Sequence, residues 1–314
     1  MQYTQLGRSG LKVSRLCLGT MNFGPVTNEP DSHAIMDRAL EHGINFFDSA
    51  DVYGWDKTGH TERIIGNWFA TGGGRREKTV IATKVYGDMG DWPNQSRLSA
   101  LWIRRACDNS LKRLQTDYID LYQMHHIHRE TPTDEILEAF SVLRQQGKVV
   151  YFGSSNFGGW HIARFNEQAK VRHQVGLVAE QSIYHLKNRN IELEVVPAAL
   201  EYGLGIIPWS PLAGGQLAGP SEDGKGRRKN DQEPDDQLKQ WFALAEKLGE
   251  QPANLALAWL LSRPGVAAPI TGPRTQAQLD GSLRALEIKL SDETLAEIDA
   301  IFPGRKTSPE DYAW

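Results

Sequence analysis

The sequence predicts an α/β protein built as a (β/α)8 (TIM) barrel, with an N-terminal β-hairpin and long loops at the C-terminal face of the barrel. Three observations predict it. Eight short apolar runs recur along the chain, at residues 16–20, 45–50, 79–85, 118–125, 149–156, 177–184, 205–211 and 266–272. Most are near-continuously apolar, as in TVIATKV, KVVYFG and LGIIPW, the pattern of strands buried on both faces of a parallel sheet. Amphipathic helical segments separate them, as crossover connections require. An open doubly wound sheet is the alternative arrangement of the same alternation.

The elements can be taken in order. Residues 1–15 hold a Gly-Arg-Ser-Gly turn between two short alternating runs and read as a hairpin. Asp31 is placed to cap a helix that runs to Gly43, with Ile35 and Ala39 on one face and Gly43 suited to the left-handed turn that follows. Thr131-Pro132-Thr133-Asp134 offers a cap, a proline at the first helical position and an acid in the first turn. The helix after it carries Ile136, Phe140 and Leu143 at i, i+4, i+7 and stops at Gly147. Leu279, Leu283 and Leu286 repeat the helical spacing near the end. Residues 214–236 are polar, Gly-rich and almost free of large apolar groups, a loop expected to be mobile unless a ligand orders it. No repeat beyond the βα unit and no linker interrupts the chain, so residues 1–314 are expected to form a single domain.

Composition narrows the function classes. Hydrophobic residues make up 40% and charged residues 24% of 314, ordinary values for a globular enzyme. A net charge of −4 gives no field to attract nucleic acid or an anionic membrane, so neither is expected as a partner. Cys17 and Cys107 are the only cysteines, which points to a reducing compartment and not to a disulfide framework. No signal-peptide pattern opens the chain and no run approaches the ~20 apolar residues of a membrane span. The expectation is a soluble cytoplasmic protein; oligomeric state is left open.

In such a barrel, polar groups at the C-terminal ends of strands face the active site. The second, third and fourth strand runs end in Asp48, Lys84 and His125, and Tyr53 follows in the loop after Asp48. Singly, each has an ordinary explanation: a turn residue, a solvated lysine, a structural histidine, a packing tyrosine. Together, on one rim of three neighbouring strands, they form a set. A lysine inside Ile-Ala-Thr-Lys-Val needs a charge partner, and Asp48 on the adjacent strand is the nearest candidate. A free phenol ionises at about 10, and a neighbouring ammonium favours the phenolate, which suits Tyr53 to give a proton to a carbonyl oxygen. His125 would hold that oxygen by a hydrogen bond. The set contains no hydride source, so it implies a cofactor.

DSADVYG with Asp48 and Tyr53, ATK with Lys84, and DLYQMH with His125 resemble the Asp-Tyr-Lys-His tetrad of the aldo-keto reductases. The resemblance runs along essentially the whole chain, through GSSNF at 153–157, Gln181 in AEQS, WSPL at 209–212 and PITGPRTQAQL. It implies NADPH-dependent reduction of an aldehyde or ketone to an alcohol, with a small-molecule carbonyl compound as substrate. It also implies that Ser155, Asn156 and Gln181 hold the nicotinamide carboxamide, with Thr20, Met21 and Asp48 beside it. Trp209 would stack on the ring, Ser210 and Leu212 begin the pyrophosphate stretch, and Arg274 and Gln278 lie at the adenosine end. A planar guanidinium at Arg274 suits the 2′-phosphate of NADPH. Ser282 departs from the Asn that many relatives carry near the adenine.

Trp55, Tyr86 and His126 are the candidate substrate walls, in a cleft where Phe23, Trp92 and Trp160 are also expected. The run His125-His126-Ile127-His128 raises a metal site with Asp48, but adjacent histidines on a strand point to opposite faces, and no metal is expected. No GxGxxG follows any strand, so the dinucleotide fingerprint of the open-sheet dehydrogenases is absent. The alternative function is an NADPH-holding barrel acting mainly as a binding or regulatory subunit, as in channel-associated β subunits. That reading expects a substituted residue at the position where this chain keeps His125. An isomerase or lyase barrel would leave the Lys84–Tyr53 pair without a role.

Overall fold

The computed structural model describes residues 1–55, 58–219 and 234–314. An antiparallel hairpin, β1 (Tyr3–Gln5) and β2 (Lys12–Ser14), opens the chain. Eight parallel strands follow: β3 (Cys17–Gly19), β4 (Phe46–Asp48), β5 (Val80–Val85), β6 (Ile119–Met124), β7 (Val149–Ser155), β8 (Leu177–Gln181), β9 (Gly205–Ile206) and β10 (Ile270–Thr271). They lie side by side in chain order, with β10 next to β3. Three backbone bonds, Ile206 N–H to Gly265 O, Ala267 N–H to Ile206 O and Ile270 N–H to Pro208 O, join β9 to the segment leading into β10. The ring therefore closes, and the open-sheet alternative falls away.

The strands are shorter than the apolar runs. Residues 205–211 reduce to a two-residue strand, because Pro208 and Pro211 lack an N–H and Ser210 adopts φ +55°. Residues 266–272 likewise reduce to the two-residue strand β10, because Pro269 just before it has no N–H to give.

Helices show where local signals were displaced. Asn28, and not Asp31, caps the helix Glu29–Glu41, accepting the Asp31 N–H at 2.9 Å. Pro30 is tolerated in the first turn, so the helix starts earlier than the Asp31 signal suggests. Pro132 stands at the cap position of Thr133–Gln145 with no side-chain cap, and Thr131 bonds His128 instead. Leu279 belongs to the helix Gln276–Ser282, whereas Leu283 and Leu286 lie in a tighter 3-10 turn. Of the polar loop, 214–218 fall in the 3-10 stretch Ala213–Ala218 and Asp235 caps the helix Asp236–Leu248; residues 220–233, where mobility was expected, lie outside the described residues. No helix among the described residues is long and apolar enough to cross a membrane.

Side-chain alternation splits the core into two layers. Residues such as Phe47, Ile81, Tyr122 and Phe152 face the helices. Phe46, Ala82, Leu121, Ala179 and Ile207 fill the barrel interior, which Leu6 and Val13 of the hairpin plug from below. Gly7 makes that plug fit. Its φ is +56°, and a Cβ there would fall within 2.4 Å of the Val178 carbonyl oxygen.

The loop that carries Tyr53 leads into the helix His60–Ala70, and one buried ion pair holds that helix to the next crossover. Glu62, fully buried, accepts from Arg113 Nε at 2.6 Å and from Thr83 Oγ1 at 2.6 Å. Removing only the cation leaves a buried carboxylate without its partner. Arg113→Met is therefore expected to cost about 3–5 kcal/mol of stability, read as a lowered denaturant midpoint at unchanged slope. A loss below about 1 kcal/mol would show that the pair is solvated in practice.

Candidate active site

Continuing each inward-facing row of the barrel by one step turns its lining from apolar to polar. Phe46 is followed by Asp48, Ala82 by Lys84, Leu121 by Gln123 and Ala179 by Gln181. These four side chains form one buried network. The Lys84 ammonium, 0% exposed, donates to Asp48 Oδ2 at 2.7 Å, to the Ser49 carbonyl at 2.8 Å and to the Tyr53 hydroxyl at 3.2 Å. Its three protons are thereby used. Burial opposes its charge, yet Asp48 and then Tyr53 outweigh burial, and the ammonium is held above its ordinary range. Asp48 Oδ1 accepts from Gln181 Nε2 at 2.8 Å, with Gln123 Nε2 more distant at 3.4 Å.

Tyr53 reaches this network from a tight loop. Its N–H bonds the Ala50 carbonyl, and the next two residues take φ of +125° at Gly54 and +55° at Trp55. The phenol ring lies 4.9 Å from Lys84 Nζ and meets the His125 ring edge-on at 6.1 Å. His125 sits just past the end of β6, its N–H on the Val85 carbonyl. Burial first, and then the charges of Lys84 and of a protonated His126, push its pKa down to about 2. Its imidazole is neutral at any working pH and presents one N–H donor.

The two adjacent histidines do not diverge as expected for a strand. The His125 and His126 rings stack at 4.8 Å with planes 4° apart. The reason is that β6 stops at Met124, so strand alternation no longer governs the bend after it. Both oxygens of Asp48 are engaged by Lys84 and Gln181, and among the described residues no three of His, Cys, Asp and Glu converge as a metal site would require.

Tyr86 packs edge-on to His126 at 5.1 Å, with the Arg97 guanidinium over its ring at 4.8 Å. These groups form one wall beside Tyr53. Trp55 and Trp92 are 55% and 77% exposed. Phe23 is not in the cleft: it is fully buried between barrel and helices, because the Thr20 carbonyl takes its N–H and turns the chain inward. Trp160 stacks on His161 and lines a separate cavity of about 130 Å³ with Ile127, His128, Phe157 and His161, among others.

The remaining candidates are placed as follows. Asn156, at φ +59°, accepts from Trp209 Nε1 at 3.0 Å and donates to the His125 carbonyl and to Ser155 Oγ. It fixes Trp209 against the end of β6. Thr20 donates to the Asp48 carbonyl, and Met21 is half-buried beside it. After Trp209 the backbone is left-handed at Ser210, Ala213, Gly214 and Gly215, with Leu212 half-buried among them. At the far end Gln278 Oε1 accepts the Arg274 N–H, and Ser282 Oγ donates to Leu279 O. Gln123 was overlooked in the sequence, although a single glutamine two places after Leu121 in IDLYQM is a visible signal. The Ser49 carbonyl carried none.

Comparison with known proteins agrees with this arrangement. Residues 15–302 match the model of the Aldo/keto reductase family. Over the full length of both chains, the sequence is 53% identical to the Bacillus subtilis protein named "Uncharacterized oxidoreductase YrpG". It is 33% identical to an Arabidopsis thaliana "Probable voltage-gated potassium channel subunit beta", covering 99% of this chain and 100% of that one. It is 32% identical to "Versiconal hemiacetal acetate reductase" of Aspergillus parasiticus, covering 98% and 100%. A closed eight-stranded barrel, a buried lysine–carboxylate pair at its mouth and a family match across nearly the whole chain lead to one assignment: the protein is a carbonyl-reducing oxidoreductase and belongs to the aldo/keto reductase family.

Proposed function

We propose that this chain reduces an aldehyde or ketone to the alcohol with NADPH as hydride donor and Tyr53 as the acid. The observation that carries the reading is the Lys84 ammonium, fixed by Asp48, 3.2 Å from the Tyr53 hydroxyl. As the carbonyl carbon is reduced, negative charge collects on its oxygen. Tyr53 passes its proton to that oxygen, and the adjacent ammonium stabilises the phenolate left behind. His125, neutral, donates its N–H to the same oxygen and orients it. Trp55, Tyr86 and His126 wall the substrate.

The residues present fit a nicotinamide cofactor. Trp209 offers a half-buried ring pinned at its edge by Asn156, and left-handed backbone at Ser210 and at Ala213, Gly214 and Gly215 turns successive N–H groups in the way that phosphate-binding loops do. The cofactor supplies the hydride. Ser155, Asn156 and the carbonyl end of Gln181 would hold its carboxamide, with Thr20, Met21 and Asp48 alongside. Ser210 and Leu212 would take the pyrophosphate, and Arg274, Gln278 and Ser282 the adenosine end, with Arg274 selecting the 2′-phosphate. Two free, buried cysteines accord with a single domain working in the cytoplasm.

Similarity to the plant channel subunit favours a second reading, in which the barrel holds NADPH mainly as a regulatory partner. Turnover separates the two. A panel of aldehydes and ketones with NADPH is expected to show cofactor consumption, and Tyr53→Phe is expected to cut it about 100-fold or more while NADPH affinity stays within about twofold. Turnover within tenfold of the parent would remove Tyr53 from the acid role, and no turnover by the parent on any carbonyl would favour the regulatory reading.

Cofactor choice is read at Arg274. Arg274→Ala is expected to weaken NADPH binding by about 1–3 kcal/mol and to leave NADH nearly unchanged. Equal losses for both in parallel titrations would make the role structural.

Lys84 gives a test with a sign. Lys84→Met removes the charge that favours the phenolate and strips Asp48 of its counter-ion, so the phenol holds its proton to higher pH. Alcohol oxidation needs the phenolate as base and is expected to fall more than carbonyl reduction at about pH 7. It should recover in part as pH rises through the tyrosine range. Parallel losses in both directions with unchanged pH profiles would show that Lys84 acts by packing alone.

A further inference from the structure

The site just described uses the inward-facing residues at the ends of β7 and β8. Directly behind them, facing the helices, lies a second buried carboxylate that the reduction does not use. Glu180 is fully buried and makes no ion pair among the described residues. Its Oε1 accepts from the Phe157 N–H at 3.0 Å and from Ser182 Oγ at 2.7 Å, and its Oε2 accepts from Ser154 Oγ. It thereby clamps both sides of the turn Ser155-Asn156-Phe157. That turn needs a clamp: Asn156 is held at φ +59°, and its own N–H reaches across to the Gln181 carbonyl.

We infer that Glu180 is a positioning residue for the cofactor: its carboxylate holds the turn that carries Ser155 and Asn156 against Gln181, and protonating it loosens NADPH binding. The inference rests on the proposed role of those three residues toward the nicotinamide carboxamide. A carboxylate is an acceptor only, and here it receives three donors. When it takes up a proton, one oxygen becomes a donor. A serine hydroxyl must then reverse, and the bond to the Phe157 N–H loses its charge assistance.

The surroundings place that change in a usable range. In the sheet, Glu180 lies between Ser154 and Ile206. The buried faces of the flanking helices carry Ile162, Phe165, Asn166 and Ala169 on Gly159–Val171, and Val195 and Ala199 on Val195–Tyr202. None of these titrates; the titratable groups beside them are His161, whose ring packs on Phe157, and Glu194, which lies against Gly159 at the start of the first helix. Burial pushes the Glu180 carboxyl up to about 7, against the opposing pull of the serine hydroxyls and amide N–H groups.

The test is NADPH affinity of the full chain, followed by tryptophan fluorescence between about pH 5.5 and 9. The 2′-phosphate of NADPH itself titrates near about 6, equally in every protein compared. In the parent, affinity is expected to fall about three- to tenfold as pH drops through the Glu180 ionisation, the scale of one weakened hydrogen bond. Glu180→Gln mimics the protonated acid: it can accept from Phe157 and Ser182 and donate to Ser154. It should fold, since it removes a buried charge, and should keep only the pH dependence of the ligand's own phosphate, matching the parent below the Glu180 ionisation and binding about three- to tenfold more weakly than the parent above it. Ser182→Ala removes one donor to the carboxylate and should move the step to higher pH, which a purely structural role would not do. Superimposable profiles for parent and Glu180→Gln, or an unmoved midpoint in Ser182→Ala, would overturn the inference and leave the proposed function standing. If Glu180→Gln does not fold, the Ser182→Ala midpoint alone decides. A parent that binds no NADPH at any pH would overturn the proposed function and the inference with it.

Discussion

The barrel mouth is organised by one constraint, that the Lys84 charge, fully removed from water, must be matched on the spot. An ammonium in so apolar a setting costs several kcal/mol unless a counter-ion and full hydrogen bonding offset it. Asp48 supplies the charge, the Ser49 carbonyl takes a second proton and Tyr53 takes the third. Asp48 in turn needs donors for its other oxygen, and Gln181 with Gln123 approach it from two further strands. A buried ion pair is no better for stability than well-packed apolar side chains of the same volume. Its presence at the one rim where four strand ends converge is therefore best read as positioning of the Tyr53 hydroxyl.

The loops around that pair hold backbone conformations that ordinary residues avoid. Trp55, Arg97, Asn156, Ser210 and Ala213 all have φ between +51° and +71°, and all lie in the loops that follow the C-terminal ends of barrel strands. Each costs on the order of 1 kcal/mol or more and persists only because its surroundings fix it. Asn156 shows how: both ends of its amide are bonded, one to Trp209 and the other to β6 and Ser155. Gln115 and His173, which follow helices at the opposite end of the barrel, share the conformation, but there it ends a helix, whereas at Asn156 it aims a side chain into the cleft.

Asp48 and Glu180 are both buried carboxylates, and they meet different partners. Asp48 has a cation at 2.7 Å and serves as a fixed counter-ion. Glu180 has neutral donors only, so desolvation outweighs them and its proton affinity rises into the neutral range. The two are separated by the thickness of the sheet, one facing the barrel axis and the other the helices. Strand alternation thus gives adjacent layers two different electrostatic tasks.

The barrel, the hairpin, the order of the strands and the acid–lysine–tyrosine–histidine set were readable in the sequence, because each rests on local signals. Continuous apolar runs mark strands buried on both faces, and a lysine in such a run announces its need for a partner. Helix starts were less readable: Asp31 and Asn28 carry equivalent capping chemistry, and only the packed position of the helix chose between them. The stacking of His125 on His126 could not be read, since it depends on where β6 ends. Nor could the burial of Phe23, which a single backbone turn after Thr20 decides. Glu180 was silent for the same reason. The letters Ala-Glu-Gln-Ser do not say which carboxylate will meet a cation and which only hydroxyls and amides. That follows from which strand edges the closed ring brings together.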